Sequence, residues 1–332
     1  MWRKIVRIMA GLLFAAGAAV MASPAGEDAL HDYQERKEID RFRQEYVSPG
    51  DDNKDYSELL EQMKAYNTEI FENGQEGLSD AWSFEQDAFD LKILGLEDNL
   101  VGYITIPAMD EELPLYLGAD EENLSKGAAV LAKTSMPIGG MNTNCVIAGH
   151  RGYGGAAMFR DIEALSVGDK VYITNPWETL TYEVVHTIAI RPDDLDAVKI
   201  VEGEDLVTLV TCHPYMHNYQ RYVVYCQRVH GETDKGAGGN VNSEGMAELM
   251  GRGGISCESS EQDVRMSEIM SLIGAALLLL MIVVLTASLI RRLFFKGRKE
   301  SETEQKAGAE TAARRTRRRR ARSRKKSGKR RQ

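Results

Sequence analysis

The sequence predicts a mainly β domain, a barrel or a sandwich, that follows a helical region and precedes a membrane-spanning helix. Between Leu100 and Val229, short runs with alternating apolar residues are separated by turn residues, the pattern of a domain with many short strands. From Glu27 to Glu72 the apolar residues recur at helical spacing instead. The 22 residues from Ile269 to Ile290 carry no charge, and a helix of that length, at about 1.5 Å per residue, crosses a hydrocarbon core of about 30 Å.

Turn residues divide these regions into elements. The sequence SPGD at positions 48–51 separates two helices, and a linker with an apolar pair, Trp82 and Phe84, follows them. A stretch rich in Gly, Ser, Asn and Glu, Gly231–Cys257, is typical of a flexible stalk. In the β domain we expect a first strand near Val101–Ile106, helices after Asp120 and over Met158–Leu165, and strands over Leu113–Leu117, Cys145–Ala148, Lys170–Thr174, Leu180–Ile190, Leu206–Cys212 and Arg221–Val229.

The charges place these regions in different compartments. The tail after Ile290 has 19 Lys and Arg against 4 Asp and Glu, whereas the whole chain has a formal net charge of −9, so the remainder is strongly acidic. At the other end, three basic residues precede an apolar run, Ile8–Ala22, which is typical of a signal peptide or of an uncleaved signal anchor. Because basic residues flank the cytoplasmic ends of membrane segments, we expect both ends inside the cell and the acidic region from Ser23 to Glu268 outside.

The composition is otherwise that of a globular protein, with 43% hydrophobic and 27% charged residues. We interpret the basic tail as a disordered stop-transfer sequence, with binding to anionic lipid as the alternative. Nucleic-acid binding is not expected, because neither aromatic residues nor a nucleic-acid-binding motif accompanies the basic run.

The four cysteines are Cys145, Cys212, Cys226 and Cys257. They are too few and too widely spaced for a disulfide-based scaffold, and none has the spacing of a zinc ligand set. Cys145 and Cys226 fall in predicted strands that a barrel could bring together, so a disulfide between them and two buried free thiols are both open. At least one thiol is therefore expected to be free.

Three residues at predicted strand ends have the chemistry for acyl transfer. Cys212 ends one strand, His150 follows another strand 62 residues earlier, and Arg221 begins the next strand nine residues later. A thiolate is a strong nucleophile, an imidazole can protonate a leaving amine, and a guanidinium can hold an oxyanion or a carbonyl. Each residue alone is more typical of a structural role, so the hypothesis depends on all three converging.

Three motifs resemble the sortase family of cysteine transpeptidases. TLVTC, Thr208–Cys212, with an Arg nine residues later, is similar to the family's cysteine motif, and VIAGHRG, Val146–Gly152, is similar to its histidine motif. GYITIPAMDEELPLYLG, Gly102–Gly118, resembles its early strand pair. The resemblance implies a closed sortase-type β-barrel, with Cys212 as nucleophile, His150 as acid and base, and Arg221 as the stabiliser of substrate and oxyanion.

The two ends of the chain resemble class C, the pilin-polymerising sortases, which have an N-terminal helical region, a lid over the active site and a C-terminal membrane helix. The lid motif of that class is Asp-Pro-aromatic. Here LSDAW, Leu78–Trp82, occupies its place with Ala81 instead of Pro, which removes a backbone constraint. We expect Asp80 to approach Arg221 or Cys212 and Trp82 to cover the cleft, with an ordinary interdomain linker as the alternative.

The implied function is transpeptidation at an LPXTG-like sorting signal, cut between Thr and Gly and held as a thioester on Cys212. The acceptor is expected to be a lysine amine of a pilin subunit. A peptidoglycan amine, as used by a housekeeping sortase, is the first alternative, and a catalytically silent binding ectodomain is the second. Thr211, Tyr215 and Asn218, with His217, are candidates to line the substrate groove, and the resemblance implies no metal or other cofactor.

The predicted organisation has six segments. They are a signal peptide or anchor (1–22), a helical region with the lid (23–90), the catalytic barrel (91–230), a flexible stalk (231–268), a transmembrane helix (269–290) and a basic cytoplasmic tail (291–332).

Overall fold

The computed structural model describes residues 29–47, 56–83, 99–154, 156–229, 244–256 and 260–288, together with residues 11, 14–17 and 19. The predicted basic tail, the SPGD turn, Phe84 and Cys257 lie outside the described residues, as does most of the predicted signal segment. The described residues from 29 to 272 belong to one compact unit, and those before 22 and after 272 belong to another.

Eight strands of the described chain close into a barrel in the order β1-β2-β3-β4-β7-β8-β6-β5. The prediction of a mainly β barrel is thereby confirmed. The strands are β1 Leu100–Ile106, β2 Glu111–Leu117, β3 Ala128–Val130, β4 Thr143–Ala148, β5 Lys170–Thr174, β6 Thr179–Ile190, β7 Asp205–His213 and β8 Gln220–Arg228.

Strand β7 is the central strand of the region that carries the predicted site. It pairs in parallel with β4 and antiparallel with β8, and all nine of its residues are buried. Alternate side chains point to opposite faces of a strand, so Val207 and Leu209 pack in one hydrophobic cluster while Leu206 and Val210 pack in another. Burial on both faces explains why this strand has a nearly continuous apolar sequence.

Two helices precede the barrel, as predicted. The first covers residues 29–42 and buries Ile39 and Phe42, which are 1% and 0% exposed; a π-helical turn, Arg43–Val47, ends it. The second, Ser57–Glu72, buries one face against the barrel. Its Asn67 side chain accepts a hydrogen bond of 2.7 Å from the backbone N–H of Met136, so the helix is fixed by a polar contact as well as by apolar packing.

One local prediction was wrong, and one strand was not predicted. The segment Met158–Leu165 is not a regular α-helix but contains only a 3-10 turn, Ile162–Ala164. The backbone N–H groups of Ile162, Ala164 and Leu165 bond carbonyls three residues back, not four. Strand β3 was not predicted, because three residues are too few to show an alternating pattern. A short helix, Glu121–Lys126, does begin after Asp120, whose carboxylate caps the backbone N–H of Asn123.

The predicted flexible stalk is partly ordered against the barrel. A helix, Glu244–Gly251, buries Met246 and Leu249 at 1% and 5% exposure, and Ile255 donates its backbone N–H to the carbonyl of Ala189 in β6 at 2.9 Å. Two apolar side chains three residues apart give this otherwise polar segment an anchoring face. Residues 231–243 lie outside the described part of the chain.

A helix of 28 residues, Glu261–Ser288, is long and apolar enough to cross a membrane. The helix begins eight residues before the uncharged run on which the prediction was based. Its first two turns therefore consist mainly of charged and polar residues. A helix C-terminal to the barrel was predicted, and the described part extends to Ser288.

Candidate active site

The site lies where three neighbouring strands, β4, β7 and β8, end or begin side by side. Cys212 of β7 is the direct cross-strand partner of Arg221 of β8. On the other side, the parallel register of β4 and β7 ends with Ala148 opposite Val210. The structure thus places the predicted nucleophile between the strand of the predicted guanidinium and the strand that leads to the predicted base.

Gly149 continues the hydrogen bonding between β4 and β7 up to the residue before His150. Its backbone N–H donates to the carbonyl of Val210 at 3.2 Å, and its own carbonyl accepts a hydrogen bond of 2.7 Å from the Thr211 hydroxyl. A Cβ at Gly149 would lie 2.9 Å from the ring of the fully buried Phe159. Glycine is therefore required here by a close approach, and that approach fixes the start of the loop that carries His150.

The Cys212 thiol is largely buried, with the residue 8% exposed. Burial raises the pKa of Cys212 to about 11; the charge of Arg221 opposes this effect, and the charge of Asp80 adds to it. The thiol is therefore protonated at neutral pH. The predicted nucleophile is not a stable thiolate in this state of the chain.

The His150 imidazole is also held neutral. Burial lowers the pKa of His150, and the nearby charge of Glu121 only partly offsets this effect. Its ring stacks on Tyr153 with centroids 4.7 Å apart and lies 6.4 Å from the Trp82 ring in a tilted arrangement. A neutral imidazole can accept a proton, so the ring is suited to act first as a base.

The lid-like segment lies on the predicted site. The Asp80 carboxylate accepts two hydrogen bonds of 2.8 Å from the guanidinium of Arg221 and a third, of 3.1 Å, from the backbone N–H of Trp82. The guanidinium carbon lies 4.8 Å from the centre of the Trp82 ring, a cation–π contact. Ala81, which stands where the motif has Pro, is buried at 3% exposure, so apolar packing helps to hold the segment.

Burial of the Arg221–Asp80 pair is nearly complete, with side-chain exposures of 8% and 16%. Burial alone would lower the pKa of Arg221, but the hydrogen bonds and charge of Asp80 outweigh it and raise the pKa. Arg221 also donates to the carbonyls of Asn218 and Gln220 at 3.2 and 2.9 Å. The guanidinium is therefore fixed in orientation from both sides.

The predicted groove residues occupy different positions. Thr211 is fully buried and its hydroxyl bonds Gly149, so its contact is with the His150 loop. Tyr215 is half-buried, and His217 and Asn218 are exposed on the loop between β7 and β8. Asn218 has a positive φ of 60° and presents its carbonyl to Arg221, so it supports the guanidinium through its backbone.

Cys145 and Cys226 are free, buried thiols. Both are the register partner of the same residue, Val207, one from β4 and the other from β8. Two strands that flank a third lie about 9–10 Å apart, whereas a disulfide requires Cα atoms within about 7 Å. The disulfide left open by the sequence therefore does not form, and burial raises the pKa of both thiols.

Sequence reasoning missed a group of buried polar residues beside the site. Arg151 and His213, which directly follow His150 and Cys212, are buried beside Glu163, whose side chain is 17% exposed. Tyr153, the stacking partner of His150, was also missed. Arg151 and His213 could have been identified from the sequence, because each directly follows a predicted catalytic residue.

Known proteins share this sequence pattern and barrel. A family model for the "Sortase domain" matches residues 104–229. The chain is 27% identical to "Sortase A" of Bacillus anthracis over 223 residues, 67% of this chain and 93% of that protein. Among solved structures, "Sortase C1 of GBS Pilus Island 1" is 33% identical with a TM-score of 0.54, covering 59% of this chain and 93% of that one. A mutant of sortase C-1 from S. pneumoniae is also 33% identical, with a TM-score of 0.52 and coverage of 59% and 98%.

Proposed function

We propose that this chain, which belongs to the sortase family of cysteine transpeptidases, cleaves an LPXTG-like sorting signal and joins it to a lysine amine of a pilin subunit. The observation that carries the proposal is the contact of Asp80 and Trp82 with Arg221, beside Cys212. A carboxylate and an indole on the guanidinium are the arrangement expected of a lid. The likeness to two sortases C supports the same class.

In the first half-reaction, the Cys212 sulfur attacks the carbonyl carbon of the Thr residue in the sorting signal. The thiol proton passes to the neutral His150, and the resulting imidazolium gives it to the amine of the departing Gly. A thioester joins Cys212 to the Thr carbonyl, and the Gly-containing fragment leaves. Because burial disfavours charge on both groups, the thiolate–imidazolium pair forms only as a minor population or when substrate arrives.

In the second half-reaction, an acceptor amine attacks the thioester carbonyl. His150 takes a proton from the attacking amine and returns it to the departing Cys212 sulfur, so the enzyme is restored and an amide bond is made. Arg221 would hold the negatively charged oxygen in both steps. It can do this only when Asp80 has left it, so lid opening precedes chemistry.

The placement proposed for the chain follows from its charges. We assign the barrel to the outside of the cell, the uncharged run 269–290 that begins within the helix Glu261–Ser288 to the membrane, and the basic tail, 291–332, to the cytoplasm. A membrane-held enzyme of this kind would meet sorting signals that are themselves held at the outer membrane surface. Tyr215, Asn218 and Thr211 are the residues proposed to bind the substrate.

A peptidoglycan amine as acceptor is the second candidate. It is favoured by one observation, the match to 93% of the length of a protein named "Sortase A". The two candidates share the thioester and differ only in the amine that resolves it. Purified pilin domains and a peptidoglycan stem peptide offered together in equal concentration would separate them, because the pilin proposal requires an isopeptide product to predominate.

The test of the shared chemistry is intact mass spectrometry of the full chain in detergent micelles with an LPXTG-type peptide. We expect a hydroxylamine-sensitive acyl adduct on wild type and none on Cys212→Ala. An Asp80→Asn variant, in which the lid is weakened, should form the adduct faster. No adduct on any of these proteins, with Cys212 still reactive towards a thiol reagent, would argue for a different sorting signal; an unreactive Cys212 would favour a catalytically silent ectodomain.

A further inference from the structure

A buried polar cluster lies directly behind the proposed catalytic pair. It consists of Glu163, Arg151, His213 and Ser260, and we name it the Glu163 cluster. Arg151 is the residue after His150, and His213 is the residue after Cys212. The mechanism proposed above assigns none of the four a role.

The contacts within the cluster centre on the Glu163 carboxylate. The Arg151 guanidinium forms an ion pair with Glu163 and a hydrogen bond with Nδ1 of His213, while its Nε–H donates to the carbonyl of Arg160 at 3.3 Å. The same Nδ1 lies 3.3 Å from Glu163; it can accept from Arg151 or, when protonated, donate to the carboxylate. Side-chain exposure is 2% for Arg151 and 0% for His213.

Such a cluster is costly unless its geometry is satisfied. Removing a guanidinium and a carboxylate from water costs several kcal/mol per ion, and the attraction between them repays this only with well-placed hydrogen bonds. Burial raises the pKa of Glu163, but hydrogen bonds from His213 and Arg151 outweigh it and lower the pKa to about 2. The carboxylate is therefore ionised and its partners are held in one arrangement.

The cluster also holds the start of the C-terminal helix. The backbone N–H of Ser260 donates to the Glu163 carboxylate at 3.1 Å, and the Ser260 hydroxyl accepts from the backbone N–H of Tyr215 at 2.8 Å. Two turns further on, Glu268 forms an ion pair of 2.9 Å with Arg160. The base of the helix is thus bonded to the loop that follows Cys212 and to the segment that carries Glu163.

We propose that Glu163 is a positioning residue for the transpeptidation reaction, acting through Arg151 and His213 on their chain neighbours His150 and Cys212. Adjacent side chains of a strand point to opposite faces, so a fixed His213 fixes the direction in which Cys212 projects. Arg151 does the same for His150 at the end of β4. The inference rests on the proposed roles of Cys212 and His150, and it assigns the helix base at Ser260 to the same support.

The test compares Glu163→Gln with wild type, using the full chain in detergent micelles and an LPXTG-type peptide with an excess of acceptor amine. Turnover is divided by the number of reactive Cys212 thiols, which are counted by peptide mapping after alkylation. A positioning role predicts that kcat per reactive thiol falls roughly 10–100-fold while KM stays within about twofold. Glu183→Gln, which breaks the Lys170 pair on β5 and β6, is the matched control and should leave both constants unchanged.

Equal kcat per reactive thiol in Glu163→Gln and wild type would overturn the inference, whatever the change in melting temperature. If Glu163→Gln does not fold, Arg151→Lys decides, because it keeps the charge but loses the fork that reaches two partners; unchanged turnover in that variant would also overturn it. A wild type that never turns over peptide would reject the proposed function. The alkylation rate of Cys212 needs no peptide and still tests the inference then, since Glu163→Gln should alter its pH dependence and a superimposable profile would count against it.

Discussion

Asp80 accepts two hydrogen bonds of 2.8 Å from Arg221, one at Nε and one at an Nη atom. A carboxylate in this position occupies the same donors that a substrate carbonyl or an oxyanion would use. In the described state Asp80 occupies these two donors of Arg221, burial keeps the Cys212 thiol protonated, and Trp82 packs on the guanidinium. Catalysis would require this contact to break, which makes the lid the first object of experiment.

Weakening the lid should expose Cys212. Asp80→Asn removes the charge from the pair with Arg221, and Trp82→Ala removes the cation–π contact, so the closed state loses stability in each. We expect alkylation of Cys212 by iodoacetamide at pH 8 to become roughly tenfold faster, which corresponds to about 1.4 kcal/mol. Asp193→Asn, which breaks an exposed pair with Arg191, is the control. Unchanged rates in both lid variants would remove Asp80 and Trp82 from any gating role.

The protonation of Cys212 can be read from the same reaction. Because burial raises the pKa of Cys212 to about 11, the alkylation rate of wild type should still be rising at about pH 9, above the usual thiol range. Asp80→Asn should move the midpoint to lower pH, since the charge of Asp80 raises the pKa while that of Arg221 lowers it. A plateau below pH 8 in wild type would mean that the closed state already holds a thiolate.

His150 should set the acid limb of activity. Burial lowers the pKa of His150 below the usual 6.5, and the charge of Glu121 raises it in part, so kcat/KM should stay constant through neutral pH and fall only below about pH 6.5. Glu121→Gln should move this limb to lower pH, because the charge that favours the imidazolium is gone. Glu122→Gln, whose partner is Lys126, should not move it. A limb that shifts equally in the two variants would indicate general surface charge instead.

The sequence predicted the ends of the strands at the site more accurately than the residues that pack around them. Strands β7 and β8 were placed within one residue, and the nine-residue spacing of Cys212 and Arg221 correctly implied neighbouring strands. The approach of Asp80 to Arg221 was expected from the lid motif and is present in the structure. These relationships are local in sequence or carried by a motif, which is why a single sequence could reveal them.

The Glu163 cluster could not be predicted in the same way. Its four residues are distributed over more than 100 positions of the sequence. Each is either of a type that is common on protein surfaces or uncharged. Only the closure of the barrel brings them together, and no periodicity marks a residue for burial with a charge partner. The helix within the predicted stalk was not predicted for a related reason. Two apolar residues, Met246 and Leu249, are a weak signal of packing in a polar segment.

Glu163 should contribute stability that depends on pH. Its folded pKa of about 2 is below the ordinary 4.5, so its contribution is fully present above pH 4.5 and is lost as pH falls from 4.5 towards 2. Glu163→Gln should therefore melt at a lower temperature than wild type at pH 7, with a difference that narrows through that range. Circular dichroism melts of the full chain in detergent measure this, with Glu183→Gln as control. A melting difference that stays constant from pH 7 to pH 3 would show that the carboxylate is not stabilised by its ion partners.

Adding one methyl group at Gly149 should disturb both stability and activity. The new Cβ would lie 2.9 Å from the ring of Phe159, which is 0% exposed and packed in the hydrophobic core. Overpacking of this kind costs about 1–3 kcal/mol, and the strain falls on the residue that precedes His150. We expect Gly149→Ala to lower the free energy of unfolding by that amount and to reduce kcat/KM at least tenfold, the size of effect that misplacing the base would give.

Two further variants separate this contact from a general effect of the methyl group. Gly251→Ala places its Cβ where no atom lies within 4 Å and should change stability by no more than about 0.5 kcal/mol. Phe159→Leu removes the ring that the Cβ would meet, so Gly149→Ala should cost less in that background than in wild type, a coupling measurable by a double-mutant cycle in urea. Strict additivity of the two substitutions would mean that the ring of Phe159 is not what requires glycine before His150.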